Sequence, residues 1–455
     1  MLADNGPHFW VTFDFDRVRW QGLRFVTDPN AQSTVTAEPA ELSAPSSQRL
    51  WRNRDFVLLM GADTVSQIGT QVTLIALPVT ALVTLDASPF QIGMLTAVEM
   101  MAFLVLGLPV GVWVDRMRRR PIQVVSDLVR AVALLSVPVA WGLDALTLWQ
   151  LFAVAAVVGV GTVFFDVAHM SYLPTVVKGE HLTGGAGALE SVYQVSKLGG
   201  PGLGGLLVQL LRAPAALVVD GVSYLLSALL LGRIGAVEEP PERTGHERLR
   251  VQVAEGLRCV AGNRIIRLTA ANGALTMLFF GAWSAISVVF VIRELGVSPG
   301  VYGLLLIGVS VGGTLGAVAA ARIVGRIGTG RTMWWASLLS IPAIAVIPFT
   351  GAGWALGFFV LGAGVFELFS SVFNVAQFSY RMAVLPQHLH GRVNATMRFL
   401  MWGATPIGAL SGGALLEGIG ARHTLWVCAA GFVLPQLLVL VTPGLRALPE
   451  PAATA

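Results

Sequence analysis

Charge is what this chain has least of: Asp, Glu, Lys and Arg make up 12% of 455 residues, where a soluble domain carries about 25%. Lysine is nearly absent, with Lys178 and Lys197 the only two among 30 basic residues; such an arginine bias points to a GC-rich, bacterial genome. Cysteine is limited to Cys259 and Cys428, too few and too far apart for a disulfide framework or a metal-ligand spacing. There is no phosphate-binding glycine loop, no HExxH and no paired metal ligands, which argues against an enzyme, a metal centre or a bound cofactor. No basic start followed by an apolar stretch opens the chain, so a cleaved signal peptide is not expected. The arginine clusters lack interleaved aromatics, which argues against nucleic acid as a partner.

Apolar residues are abundant instead, at 55%, with a mean hydropathy of +0.71. A membrane-spanning helix needs about 20 mostly apolar residues. Runs of that kind are expected at 56–84, 90–113, 122–143, 147–170, 186–211, 213–233, 266–291, 300–324, 332–350, 353–380, 394–418 and 422–442. The chain therefore reads as an all-α membrane protein with twelve transmembrane helices and the lipid bilayer as its main partner. The loops after even-numbered runs hold most of the arginines, among them Arg116, Arg118, Arg119, Arg120, Arg326 and Arg331, whereas the opposite loops hold Arg212, Arg293 and Arg422. The positive-inside bias then puts both termini in the cytoplasm. Residues 1–50 read as a disordered cytoplasmic tail, or an over-extended start, because they pass into a Pro/Ser/Thr/Ala-rich stretch; 444–455 form a second tail.

The chain repeats itself. FDVAHMSY at 165–172 returns as FNVAQFSY at 373–380, an offset of 208, and the same offset carries Gly200, Gly204 and Gly205 onto Gly408, Gly412 and Gly413. Earlier in each half the offset is 210, carrying Asn53 onto Asn263, Gly93 onto Gly303 and Arg116 onto Arg326. Two units of six crossings enter the membrane from the same side, making parallel repeats: 51–233 and 264–443. Residues 234–263 join them. There Leu249, Val253, Leu257 and Val260 recur at helical spacing, an amphipathic helix suited to the inner membrane face.

Two six-span halves with such a linker resemble the major facilitator superfamily. The most specific stretch is GLPVGVWVDRMRRRP at 107–121, which is similar to that superfamily's loop motif at Gly111, Asp115, Arg116, Arg119 and Arg120, with Arg118 in place of a second glycine. The resemblance implies a conformational latch, in which Gly111 permits close helix approach, Asp115 caps the start of the eleventh span near Asn394, and Arg119 pairs with Asp166. In the second half Asp115, Arg119 and Asp166 become Gly325, Thr329 and Asn374, all neutral together. Gly187, Ser196, Gly200, Pro201, Gly204 and Gly205 on the fifth run resemble the antiporter motif of drug exporters, with serine for one glycine, which implies export. YLPTVVKGEHL and GRVNATMRFL add a likeness to macrolide and multidrug exporters that exchange drug for proton.

Ionisable side chains within apolar runs cost roughly 2.5–3.5 kcal/mol each on insertion scales unless paired or hydrated. Asp63, Glu99 and Glu367 are therefore candidates for carrying protons, and none has an ionisable counterpart in the other half. Glu190 and Lys197 share one helix face, and Glu190 maps onto Arg398, so a Glu190–Arg398 contact is a candidate gate between the halves. Gln67, Gln71, Phe280, Trp283 and Phe369 are candidates for lining a largely apolar and aromatic substrate chamber. The expectation is a monomeric bacterial inner-membrane exporter of hydrophobic or amphipathic small molecules, working by alternating access with protons as the coupling ion. A siderophore or natural-product exporter, a nutrient importer of the same fold, and a membrane-embedded enzyme or receptor are the alternatives.

Overall fold

The computed structural model describes residues 50–177, 181–238 and 249–447. The expected disordered tail at 1–50 falls almost wholly outside the described residues, as does most of the one at 444–455. All regular structure among the described residues is helical. The first half holds α1 (Arg54–Val79), α2 (Pro89–Asp115), α3 (Arg119–Gly142), α4 (Leu148–Val176), α5 (Leu182–Leu211) and α6 (Ala213–Gly232). A short α7 (Leu249–Gly262) follows, then α8 (Arg264–Val288), α9 (Pro299–Ile327), α10 (Thr329–Val346), α11 (Gly357–Val384), α12 (Gln387–Trp402) and α13 (Ala404–Leu440).

The sequence repeat reappears as a repeat of local devices. Asn53 and Asn263 each accept the free N–H groups that open α1 and α8, and Ser88 and Ser298 each cap a helix that starts on proline. Both α1 and α8 end in a widened π-turn, at Thr80–Thr84 and Val289–Glu294. Packing repeats too: α1 on α6, α3 on α6, α2 on α4 and α3 on α4 in the first half match α8 on α13, α10 on α13, α9 on α11 and α10 on α11 in the second.

Ten segments among the described residues are long and apolar enough to cross a membrane, against the twelve expected. Two physical reasons account for the difference. One segment, Leu389–Leu440, runs for 52 residues, far beyond one crossing at 1.5 Å per residue, and Gly420 breaks it with φ 74°. The other is α5, whose 30 residues are rich in glycine and carry Glu190 and Lys197, so it is not among the ten. In the linker helix α7 Val260 is buried against Val393 and Met397 of α12, while Leu257 is exposed; the Leu249 and Val253 side chains lie outside the described residues.

The core is continuous at one end of the bundle and split at the other. Where α1 and α8 finish, a single apolar cluster joins Ile75, Leu82 and Leu217 of the first half to Phe290, Tyr302 and Leu416 of the second. At the opposite end Phe56, Tyr172 and Leu231 form one cluster and Ile265, Met333 and Val439 another. The halves are thus joined at one face and separate at the other.

Candidate functional site

The closed face is built from glycine. A Cβ on Gly93 of α2 would run into the Ala409 carbonyl and lie 3.1 Å from Gly413 Cα of α13; one on Gly205 of α5 would run into the Pro299 carbonyl and lie 3.0 Å from Gly303 Cα of α9. These two crossings are counterparts under the sequence repeat, and in each the backbones touch because neither helix has a side chain there. Polar contacts rim the joint: Arg293 pairs with Asp86 at 2.6 Å and donates to the Ala87 carbonyl at 3.1 Å, and Ser88 donates to Glu417 at 3.3 Å. Of the glycine-and-proline motif on α5, Gly200 and Gly204 press on Gln71 and Val72 of α1, Gly205 and the Pro201 carbonyl meet α9, and Ser196 is buried. Gly187 borders open space, with no atom near its missing Cβ.

Inside the first half lies a charged network. Arg130 of α3 is 2% exposed and Asp127, one turn earlier, is 0% exposed; the two form an ion pair. The guanidinium lies between two rings, 4.5 Å from the Phe165 centroid and 4.1 Å from that of Tyr224, a placement that stabilises a desolvated cation, and it also reaches Thr162 at 3.4 Å. Asp220 of α6, fully buried, accepts from the hydroxyls of Thr73 and Ser223, the latter at 2.9 Å. Gly69 makes room for that carboxylate, because a side chain there would overlap Asp220 and Ser223. Asp166 is held between the fields of Arg130 and Arg398. A chain of contacts leads on from there: His169 stacks on Phe165 at 5.4 Å, its Nδ1 is 3.1 Å from Gln123 Oε1, and its Nε2 is 3.7 Å from Asp63. Glu99 faces Asp220 electrostatically. Asp127, Asp166 and Asp220 thus share the field of the Arg130 guanidinium, with Asp63 acting on Asp166 and Glu99 on Asp220 next to them.

Several expected contacts are replaced by others. Arg119 and Asp166 form no ion pair among the described residues; the Arg119 Nε is buried without a hydrogen-bond partner, and the charges that act on Asp166 are those of Arg130 and Arg398. Gly111 borders open space, so it brings no helices together. Arg116 is an exposed C-cap of α2, and the Asp115 side chain lies outside the described residues. Glu190 accepts from Gln194 at 2.8 Å and makes no ion pair with Arg398. Besides Arg293 and Asp86 at the closed face, a charge contact across the halves joins two candidates assigned separately, Lys197 of α5 and Glu367 of α11, at 3.0 Å. The chamber candidates also divide. Gln67 donates to Asp63 at 3.5 Å and Gln71 packs under Gly200, both within the first half. Trp283 tilts on Phe359 at 5.3 Å, Phe369 borders a cavity in the second half, and Phe280 is exposed.

The arginine loop has an anion at the start of α3, which the sequence motif did not indicate. Glu238, just beyond α6, accepts from the backbone N–H groups of Arg119 and Arg120 at 2.6 and 2.7 Å, where free amides and the helix dipole both favour a carboxylate. Arg120 in turn donates to the carbonyls of Leu231 and Gly232 that end α6. The linker is thus tied to the first half at Glu238, and to the second where Glu255 of α7 pairs with Arg392 of α12. Glu238→Ala is expected to cost about 1–2 kcal/mol, the worth of a helix cap with a charge on the dipole, read as a lower midpoint in thermal unfolding of the purified protein.

Asp127 and Arg130 were not among the residues singled out from the sequence, although a signal was there. Gln123, Ser126, Asp127 and Arg130 fall at i, i+3, i+4 and i+7 and are all buried, while Val125, Leu128, Val129 and Val132 on the other face are exposed. In a membrane helix that is the pattern of a polar stripe turned inward.

The Major Facilitator Superfamily profile matches residues 59–402. The chain is 27% identical over 406 residues to the multidrug efflux pump Tap of Mycolicibacterium fortuitum, covering 86% of this chain and 96% of that one. Among solved structures it resembles a mutant of the nucleoside transporter NupG, with TM-score 0.71, 11% identity and coverage of 85% and 99% of the two chains. It also resembles a bacterial homologue of the iron transporter ferroportin in its inward-facing state, with TM-score 0.70, 17% identity and coverage of 88% and 100%.

Proposed function

This chain belongs to the Major Facilitator Superfamily, and we propose that it exports hydrophobic or amphipathic small molecules across a bacterial inner membrane in exchange for protons. Its family is one of transporters, not enzymes. The twelve crossings are α1 to α6, α8 to α11, α12 with α13 as far as Gly420, and the rest of α13; the halves at 51–233 and 264–443 rock about a chamber between them. Arg54, Arg120, Arg264 and Arg392 mark the open end of the bundle, which the positive-inside bias assigns to the cytoplasm, so the state described is open inward. The names of relatives such as Tap support a drug-like cargo, and the glycine motif on α5 supports export.

The observation that carries proton exchange is the one-sided network. Inside the first half Asp127, Asp166 and Asp220 share the field of Arg130 while Asp63 and Glu99 act on Asp166 and Asp220 beside them, and such an excess of carboxylates within hydrocarbon calls for compensating positive charge. Protons arriving from alternate sides of the membrane supply it. The second half has no such demand: the positions equivalent to Asp63, Asp127, Arg130, Asp166 and His169 hold Gly273, Ser337, Ser340, Asn374 and Gln377. Lys197 and Glu367 then act as the charge contact that forms and breaks as the halves move, the role first expected of Glu190 and Arg398.

The test is ethidium transport in proteoliposomes under an imposed pH gradient. Wild type is expected to move ethidium against its concentration gradient when the proton gradient runs the opposite way, and Asp63→Asn and Glu99→Gln to lose that drive while still exchanging ethidium down its own gradient. Uptake in the same direction as protons would make the protein an importer; indifference to the pH gradient would rule out proton coupling.

A further inference from the structure

The second half has a small cavity where the first half has its arginine. Ser340, Asn374 and Gly273, the counterparts of Arg130, Asp166 and Asp63 under the repeat, all border it. Exchanging a guanidinium and two carboxylates for a hydroxyl, an amide and a hydrogen atom leaves about 40 Å³, room for a few non-hydrogen atoms. Phe366, Phe369 and Phe373 form its apolar walls, and Asn374, which is exposed, stands at its mouth.

The polar groups around the cavity have unused capacity. Asn272 donates its amide N–H to the Pro435 carbonyl at 3.0 Å, which leaves its carbonyl oxygen available. Ser340 donates its hydroxyl to the Ser337 carbonyl at 2.8 Å, which leaves its lone pairs. Gln436 is 7% exposed, borders the cavity, and has no hydrogen bond within the described residues; its counterpart in the first half is Ala228. The amide atoms of Gln436 are not sealed away from the space they border, so they are open to hydrogen-bond a group that enters the cavity.

We propose that this cavity receives an uncharged, hydrogen-bonding end group of the transported molecule, such as an amide or a hydroxyl on an apolar frame. The inference rests on the export reading and assigns the second half the recognition of neutral polar groups. Among the described residues no charged side chain borders the cavity, so an ionic group would enter without a counter-charge, at a cost several times that of an amide. The acceptors at Asn272 and Ser340 and the amide of Gln436 suit a group that both donates and accepts.

The experiment is equilibrium binding to the purified full-length protein in lipid nanodiscs, with chloramphenicol as a neutral amide-bearing probe and ethidium as a charged control. Ser340→Val fills the space and removes the hydroxyl, and Asn374→Leu blocks the mouth. Each is expected to weaken chloramphenicol binding by at least about tenfold, as when a polar ligand group meets a site that has lost its partner, while ethidium binding stays within about twofold by the same reasoning. If Ser340→Val raises the thermal midpoint and leaves chloramphenicol binding unchanged, the cavity is a packing void and the proposal fails. It fails equally if wild type does not bind chloramphenicol, or if both probes weaken together. Failure of the export reading has another signature: chloramphenicol binding that responds to both variants, in a protein whose proteoliposomes show no gradient-driven transport.

Discussion

Arg130→Met is expected to abolish transport and to lower stability by about 3–5 kcal/mol, the cost of leaving a buried carboxylate without its cation. Asp127 is the partner left behind, and the rings of Phe165 and Tyr224 lose the cation they enclose. Methionine restores most of the volume, so the loss is electrostatic rather than a cavity. The double variant Asp127→Asn, Arg130→Met removes both charges and is expected to recover a large share of the stability, because replacing a buried pair together is far less costly than breaking it. Transport is not expected to return, since Asp166 and Asp220 also lose the guanidinium whose field they share. Thermal unfolding of the two variants and wild type, read as a mutant cycle with Asp127→Asn, checks the first claim. Proteoliposome transport checks the second; a fully active double variant would reduce the network to a structural role.

The second large effect is expected at the closed face. Gly205→Val places a branched side chain against the Pro299 carbonyl and the Cα of Gly303, atoms of a helix backbone that cannot rotate away. Overpacking of this kind costs about 1–3 kcal/mol in a closed interface, and it applies only to the state in which α5 and α9 touch. The halves should therefore favour the arrangement open at the opposite face, by roughly one to two powers of ten in population, with transport falling in proportion. The protein should still fold and insert into the membrane. Labelling of Ser298→Cys by a membrane-impermeant maleimide, faster in the Gly205→Val background than without it, reports the opening. Equal labelling together with normal transport would mean that the two backbones need not meet.

Much of this was legible beforehand, and the reasons differ from feature to feature. The apolar runs and their limits follow from composition, because hydrocarbon leaves a chain no alternative to helices of about 20 residues. The repeat could be read because it leaves the same letters at a fixed offset, down to the capping asparagines at 53 and 263. The charge contacts were far less legible. Most of these helices are apolar on every side, so no stripe tells which face turns inward, and the pairing of Arg119 with Asp166 or Glu190 with Arg398 required a helix rotation that sequence spacing does not supply. α3 is the instructive exception, since its polar stripe from Gln123 to Arg130 is visible in the letters alone.

The amino-acid sequence determined that the chain is a membrane protein built as a repeat and that the cluster of Asp63, Asp166 and their neighbours has neutral counterparts in the second repeat, because both are properties of residue type and order along one dimension. Only the tertiary structure decided which charges meet: Arg130 with Asp127, Lys197 with Glu367, Glu238 with the start of α3. Ion pairs and hydrogen bonds fall off within a few ångströms, and distances on that scale are set by the rotation and crossing of packed helices, which the linear order of residues does not contain.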